Sequence, residues 1–277
     1  MNLEGIGILK NWVENSNNIV FFGGAGVSTE SGIPDFRSVD GLYNVKYDYP
    51  PETIISHSFF MKNREEFYRF YWDKMIYPQA KPNITHKKLA ELEEKGKLKA
   101  VVTQNIDGLH QAAGSKNVLE LHGSVLRNYC MSCGKHYSLD EVVPTKEVEN
   151  RKENKEQIQN KEEIEKDVTG KNGREKNKMK ETLGIVPVCE CGGIIKPDVV
   201  LYEEGLDETT IKKAIYYISN ADVLIIGGTS LSVYPAAGLV RYYQGSKLVL
   251  INKTPTAYDK NADLLLPYGL GEVFSNI

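Results

Sequence analysis

Four cysteines stand in two close pairs, Cys130-x-x-Cys133 and Cys189-x-Cys191, with 55 residues between the pairs. Four thiolates suit a tetrahedral zinc ion, and a full set of protein ligands leaves no position open for substrate, so such an ion would be structural. Gly134 and Gly192 each follow the second cysteine of a pair. Glycine there lets the backbone turn its N–H groups toward sulfur. The spacing alone leaves a redox dithiol or buried free thiols open, because the gap is long and the second pair is CxC. A second constellation is the glycine loop Gly23-Gly24-Ala25-Gly26-Val27-Ser28, which follows an apolar run directly. Glycine at a strand-to-helix turn lets backbone N–H groups approach a pyrophosphate. The dinucleotide fingerprint wants a third glycine where this chain has Thr29, so the loop alone could equally be a tight turn. The third is His122, just past another short apolar run. Imidazole suits proton transfer near neutral pH.

These residues need elements to hold them. Asn18–Phe22, Lys99–Thr103, Val118–Leu121, Val199–Tyr202, Asp222–Ile226 and Lys247–Ile251 read as buried strands. Between them, Thr85–Lys95 and Thr209–Ser219 read as helices; in the second, Ile211, Ala214, Ile215 and Ile218 share one face. Apolar strands alternating with helices predict an α/β fold with a parallel sheet covered on both faces. In such a fold ligands bind at the strand ends, which is where His122 falls. Asn63 followed by Glu66 resembles a capping box opening an aromatic-rich helix that Pro78 ends. From Thr145 to Thr182 the 38 residues hold 11 Lys/Arg, 10 Asp/Glu and no aromatic residue. That stretch cannot bury enough apolar surface to order itself, so it should be an exposed, disordered or loosely helical insertion.

The whole chain has 277 residues and a formal net charge of −3, which argues against general nucleic-acid binding. No apolar run is long enough to span a bilayer, and the N-terminus lacks the pattern of an export signal. The expected location is the cytoplasm, with no membrane partner.

The glycine loop continues as GAGVSTESGIPDFRS through Ser38, so that Asp35, Phe36 and Arg37 follow in the same loop. That string resembles the signature of the sirtuins, the NAD-dependent protein deacylases. The resemblance extends in family order over nearly the whole chain outside the charged insertion. It includes Thr103-Gln104-Asn105-Ile106-Asp107-Gly108-Leu109-His110, Glu120-Leu121-His122-Gly123-Ser124, Gly228-Thr229-Ser230-Leu231, Tyr234-Pro235-Ala236-Ala237 and Ile251-Asn252-Lys253.

The resemblance implies an NAD-dependent protein-lysine deacetylase, a transferase of the bacterial type with NAD as co-substrate and one structural zinc. It implies that His122 is the base that activates a ribose hydroxyl, that Asn105 positions ribose and water, and that Asp107 lies near the nicotinamide carboxamide. Gln104 would contact ribose, while Ile106 and Phe36 would wall the nicotinamide pocket. Gly24, Ala25, Ser28, Asp35, Arg37, Gly228, Thr229, Ser230, Asn252 and Lys253 complete the implied NAD contacts. It also makes Cys130, Cys133, Cys189 and Cys191 the zinc ligands. Val200, Tyr202, Glu203 and Val233 would pair with the backbone of an acetyl-lysine peptide. The residues alone leave simpler readings: Asp107 could cap the turn before Leu109, and Gln104 could bond only to backbone.

Sirtuins that remove acidic acyl groups carry Tyr and, three residues on, Arg; this chain has Tyr68 and then Tyr71, with Arg69 on another helical face. Acetyl and other neutral acyl groups are therefore expected. The alternatives are a mono-ADP-ribosyltransferase, a deacylase preferring longer neutral acyl groups, or a zinc-bearing interaction module without turnover. The expected architecture is a Rossmann-like domain of 1–38, 86–123 and 198–277. A helical module (39–85) and a zinc module (124–197, containing the insertion at about 145–182) would form the small domain. Acyl-lysine would enter the cleft between large and small domains.

Overall fold

The computed structural model describes residues 3–35, 48–144 and 185–277. The charged stretch 145–182, Phe36 and Arg37 lie outside the described residues. In chain order the elements are α1 (Leu3–Glu14), β1 (Ile19–Gly23), α2 (Pro51–Ile54), α3 (His57–Lys62), α4 (Arg64–Lys74), α5 (Ile84–Glu94), β2 (Leu98–Thr103), α6 (Leu109–Ala112), β3 (Val118–Glu120), β4 (Gly123–Cys130), β5 (His136–Ser138), α7 (Leu139–Val142), β6 (Ile195–Val199), α8 (Glu208–Asn220), β7 (Val223–Gly227), β8 (Leu248–Ile251), β9 (Leu264–Leu266) and α9 (Leu270–Phe274). They fall into two compact units. One is Met1–Thr53, Tyr77–Ser124 and Val199–Ile277; the other is Ile54–Ile76 and Val125–Asp198.

The first unit is built on a six-stranded sheet in the order β3-β2-β1-β7-β8-β9, parallel throughout. Counted within this unit, the order is 3-2-1-4-5-6, the doubly wound nucleotide-binding order, which reverses between β1 and β7. Side chains alternate across the sheet, so a strand buried on both faces must be apolar at every position. Ile19 and Phe21 of β1 pack on one face with Leu9 and Val13 of α1, Leu89 of α5 and Phe274 of α9. Val20 and Phe22 pack on the other with Ala214 and Ile218 of α8 and with Leu239 and Val240 of a 3-10 helix, Ala236–Tyr242. No helix among the described residues is long and apolar enough to cross a membrane.

Two expectations are corrected. The strand expected at Val199–Tyr202 ends at Val199, because β6 runs Ile195–Val199 in the small sheet. Beyond it the Leu201 N–H turns onto the Glu204 carboxylate (2.9 Å), and Glu203 takes a left-handed φ of 76°. Asn63 does stand before α4, but its side chain makes no capping bond, since the same residue closes α3 with φ −131° and ψ 54°. The capping box belongs instead to Asn83 and His86 at the start of α5.

His86 and His110 form a fully buried pair, with ring centroids 4.7 Å apart. The His86 Nδ1 accepts the Asn83 N–H, so the proton of neutral His86 sits on Nε2. Burial holds His86 down at about 4, against a pull upward from Asp107. Burial, with His86 beside it, holds His110 down at about 3. The unfolded chain would protonate both near pH 6.5 while the folded chain would not. Stability is therefore complete above pH 6.5 and declines as pH falls toward 4, with a slope of about 2–3 kcal/mol per pH unit from the two protons. Urea unfolding at a series of pH values checks this. The expected slope for His110→Gln is about half.

The second unit carries the aromatic helix α4 and the three-stranded sheet β5-β4-β6. Phe60 meets Phe67 edge-on at 4.8 Å, and Tyr68 stacks on Trp72 at 5.6 Å. Their polar ends find backbone partners, as buried Tyr and Trp require. The Tyr68 hydroxyl donates to the Ile195 carbonyl, and the Trp72 Nε1–H donates to the Ile185 carbonyl at 3.0 Å.

Candidate active site and metal centre

Five strands of the large sheet end at residues with chemistry. Gly24 follows β1, Gln104 follows β2, His122 lies two residues past β3, Gly228 follows β7 and Asn252 follows β8. Because the strands are parallel, these segments all emerge at one edge of the sheet, and the β1–β7 junction is the point where strand order reverses.

At that junction two loops touch backbone to backbone. The Gly24 N–H donates to the Gly227 carbonyl (3.3 Å) and the Gly26 N–H to the Gly228 carbonyl (2.8 Å). A Cβ on Gly26 would stand 2.8 Å from the Gly228 Cα, and one on Gly228 would stand 2.6 Å from the Val27 nitrogen. Gly228 also has φ 61°, so no other residue fits there without strain. Instead of one long helix, the loop makes two single 3-10 turns, Ala25–Val27 and Thr29–Ser31, closed by left-handed Gly32.

Polar side chains tie the segments together. The Ser28 hydroxyl donates to Asp107 Oδ2 (2.6 Å) and accepts from Asn105 Nδ2 (3.0 Å). Asp107 Oδ1 accepts the Leu109 N–H (2.8 Å), so Asp107 both caps that turn and holds Ser28. Gln104 Nε2 donates to Thr229 Oγ1 (3.0 Å), a side chain rather than backbone. Asn252 Nδ2 donates to the Thr229 carbonyl (3.2 Å). Ile106 is half-buried beside these groups in sequence, as are Ala25 and Asp35, while Ser230 and Lys253 are exposed. Phe36 and Arg37 lie outside the described residues.

His122 is half-buried, and its Nδ1 lies 2.9 Å from the Gln104 carbonyl oxygen. A carbonyl only accepts, so Nδ1 must carry the proton and Nε2 keeps its lone pair. Burial lowers the pKa of His122, opposed by that bond to Gln104, and this keeps the imidazole neutral at pH 7. The His122 carbonyl accepts the Val200 N–H (3.0 Å). Tyr202 and Glu203 are exposed just beyond, and Val233 is half-buried where its carbonyl accepts the Ala237 N–H. Sequence reasoning missed Glu204, whose carboxylate shapes the segment Leu201–Glu204; the acidic residue beside a left-handed Glu203 gave no signal of its own.

In the second unit the four thiol sulfurs lie within 4.8 Å of one another. Cys130 and Cys191 are 3.5 Å apart, Cys133 and Cys189 3.6 Å. Bonds of about 2.3 Å to a tetrahedral zinc put sulfurs about 3.8 Å apart, so the set fits that ion, and a disulfide bond would need a much shorter contact. Gly134 and Gly192 have φ of 74° and 82°, but their N–H groups go to the carbonyls of Cys130 and Cys189. The N–H groups aimed at sulfur are those of Ser132 and Cys133, toward Cys130 (3.4 and 3.5 Å).

Known proteins resemble this chain over nearly their full length. A protein named NAD-dependent protein deacetylase from Clostridium perfringens is 54% identical over 99% of this chain and 98% of its own. One of the same name from Clostridium acetobutylicum is 52% identical, again over 99% and 98%. Among solved structures, a Sir2 with a deacetylated p53 peptide and 3′-O-acetyl ADP-ribose superimposes with a TM-score of 0.77 at 37% identity, over 98% of this chain and 96% of that one. A Sir2–p53 peptide–NAD+ complex gives 0.74 at 37% identity, over 97% and 95%. The Sir2 family match itself spans residues 24–235, from the glycine loop at β1 through the ends of β2, β3 and β7: the chain belongs to the Sir2 family.

Proposed function

We propose that this chain is an NAD-dependent protein-lysine deacetylase. It transfers the acetyl group of acetyl-lysine to ADP-ribose and yields nicotinamide, O-acetyl-ADP-ribose and free lysine. The observation that carries the reading is His122, neutral and with its Nδ1–H bound to the Gln104 carbonyl, which leaves Nε2 as a base at the sheet edge.

The residues fit NAD. Gly24, Gly26 and Gly228 leave no room for a Cβ, so this strand-end loop is backbone packed on backbone, the setting in which a pyrophosphate is bound at a doubly wound sheet, and the amides of Gly24 and Gly26 are already given to the carbonyls of Gly227 and Gly228. Gly24, Ala25, Ser28, Gly228, Thr229 and Ser230 would hold the phosphates, with Asn252 and Lys253 at the adenosine ribose. Gln104 and Asn105 would face the other ribose; Ile106, Asp107, Asp35, Phe36 and Arg37 would surround nicotinamide. NAD supplies a ribose carbon whose bond to nicotinamide breaks and which the acetyl oxygen can then attack. His122 Nε2 takes a proton from a ribose hydroxyl, and Ile106 helps to exclude water. Asn105 and Asp107, both fixed through Ser28, keep their groups oriented without rearrangement. One zinc on Cys130, Cys133, Cys189 and Cys191 is structural.

The peptide would add as a strand along Val200, Tyr202 and Glu203, with Val233 opposite. The Val200 N–H is already taken by His122, so its carbonyl is the group left for pairing. Tyr68 and Tyr71 are buried, and position 71 holds tyrosine where an acidic acyl group would call for arginine. Neutral acyl groups follow, and a relative of 35% identity has been solved as a Sir2 bound to a propionylated peptide. Reduced thiols suit the cytoplasm as the working compartment, and neither a membrane nor a nucleic acid is a partner in this reading.

The test is a mass-resolved reaction of NAD with acetyl-, propionyl- and succinyl-lysine peptides. Free lysine peptide and O-acetyl-ADP-ribose are expected from the acetyl substrate, with little turnover of the succinyl one. NAD consumption accompanied only by ADP-ribosylated protein would instead establish a mono-ADP-ribosyltransferase. A related expectation concerns the loop contact. Gly228→Ala pushes a methyl into the Val27 and Gly26 backbone. At about 1–3 kcal/mol of overpacking this weakens NAD binding by roughly ten- to a hundredfold, read by calorimetric titration.

A further inference from the structure

The glycine loop is two short 3-10 turns, and turns of that length do not hold themselves in place. Their position is set by what they are tied to. Gly26 rests on Gly228, and Ser28 is held by Asp107 and Asn105. Glu30 reaches the N-terminus of α9, where the Gly271 N–H donates to its Oε1 (3.1 Å). The remaining tie comes from Asn83, outside every segment considered so far. Its Nδ2 donates to the Val27 carbonyl (2.8 Å) and to the Ser31 hydroxyl (3.0 Å). Its Oδ1 accepts from the Thr85 and His86 N–H groups (2.9 and 3.4 Å) as the cap of α5. Its own N–H goes to His86 Nδ1 (3.3 Å).

We propose that Asn83 is a positioning residue for NAD: it anchors the glycine loop to the N-terminus of α5. Val27 lies between Gly26 and Ser28, so the atom that Asn83 grips sits between the backbone that faces phosphate and the hydroxyl that orients Asn105 and Asp107. Val27 is itself buried in the sheet core, which makes α5, the loop and β1 one packed body. The two functions of the side chain are carried by different atoms. The carbonyl oxygen caps the helix; the amide nitrogen holds the loop. An acidic residue at the same place would keep the first and lose the second, because a carboxylate caps well but presents lone pairs to the Val27 carbonyl.

This inference rests on the NAD reading above, and the experiment separates the two. NAD is titrated calorimetrically into the full chain and into Asn83→Asp, Asn83→Ser and Asn83→Ala, without peptide, and thermal midpoints are recorded alongside. With two hydrogen bonds to the loop removed, Asn83→Asp is expected to bind NAD about tenfold more weakly at an essentially unchanged midpoint. Asn83→Ser, which keeps a capping oxygen but cannot span both loop partners, should do the same. Asn83→Ala should show the same weakening together with a lower midpoint. Unchanged NAD affinity in Asn83→Asp and Asn83→Ser would overturn the proposal, as would weakening that merely tracks the fall in midpoint, since Asn83 would then only cap α5. A parental chain that does not bind NAD would overturn the proposed function, and this inference with it.

Discussion

Replacing His122 by alanine is expected to lower deacetylation turnover by about 10²- to 10⁴-fold, the range for losing a general base. The expectation follows from which nitrogen holds the proton. The Gln104 carbonyl can only accept, so it fixes the hydrogen on Nδ1 and aims a basic Nε2 away from the protein backbone. Gln104 is itself held by Thr229, and its N–H donates to the Gly23 carbonyl, so the imidazole is oriented by three strand ends at once. Alanine removes the base but keeps the main-chain bond from the Val200 N–H to the residue 122 carbonyl, so NAD affinity and thermal midpoint should change little. The pH profile supplies an independent readout. A base works only when neutral, and burial lowers the His122 pKa in the free chain, so the acid limb of kcat/KM should lie below the ordinary imidazole range and activity at pH 7 should be near its plateau. Peptide deacetylation by His122→Ala at the parental rate would remove His122 from the reaction.

The strand ends could be read from the sequence because strands buried on both faces leave unbroken apolar runs, as in Ile19–Phe22 and Val223–Ile226. His122 and the cysteines stand out by residue type and position, since chemistry restricts the residue at such points, while Asn105 is picked out through the resemblance of its motif. What the sequence hid is whatever depends on two distant segments. Asn63 and Asn83 both stand before a helix, and of the two only Asn83 caps through its side chain, because Asn63 also closes α3. Val199–Tyr202 has the apolar character of a strand, yet Glu204 draws the Leu201 amide into a turn. Gly271 is silent in the sequence, although a Cβ there would collide with the Glu30 carboxylate at 1.9 Å. The buried Tyr68 hydroxyl likewise finds its acceptor at Ile195, more than a hundred residues away.

Loss of one zinc ligand should have the largest effect on stability, and the small core around the metal centre is the reason. Among the described residues, those buried around the thiols are Cys130, Val142, Cys189 and Ile195, with Trp72, Tyr137 and Leu139 at the margin. So few side chains contribute little against the entropy of ordering the two knuckles. A structural zinc in comparable small sites contributes about 10–16 kcal/mol of apparent binding free energy at pH 7, as much as the whole stability of a typical domain. Cys130→Ser is the most informative change, since Cys130 is buried and its sulfur accepts two backbone N–H groups. Metal analysis should fall from one zinc per chain to nearly none. Limited proteolysis should then cut within β4, β5 and β6, outside the 145–182 stretch, while the sheet unit, whose core shares none of these residues, resists. A chelator at neutral pH should reproduce the effect, and acidification should favour it, because the thiols must lose their protons to bind metal. A purified chain that contains no zinc and still protects β4, β5 and β6 from protease would show that the four thiols stand together without a metal to hold them.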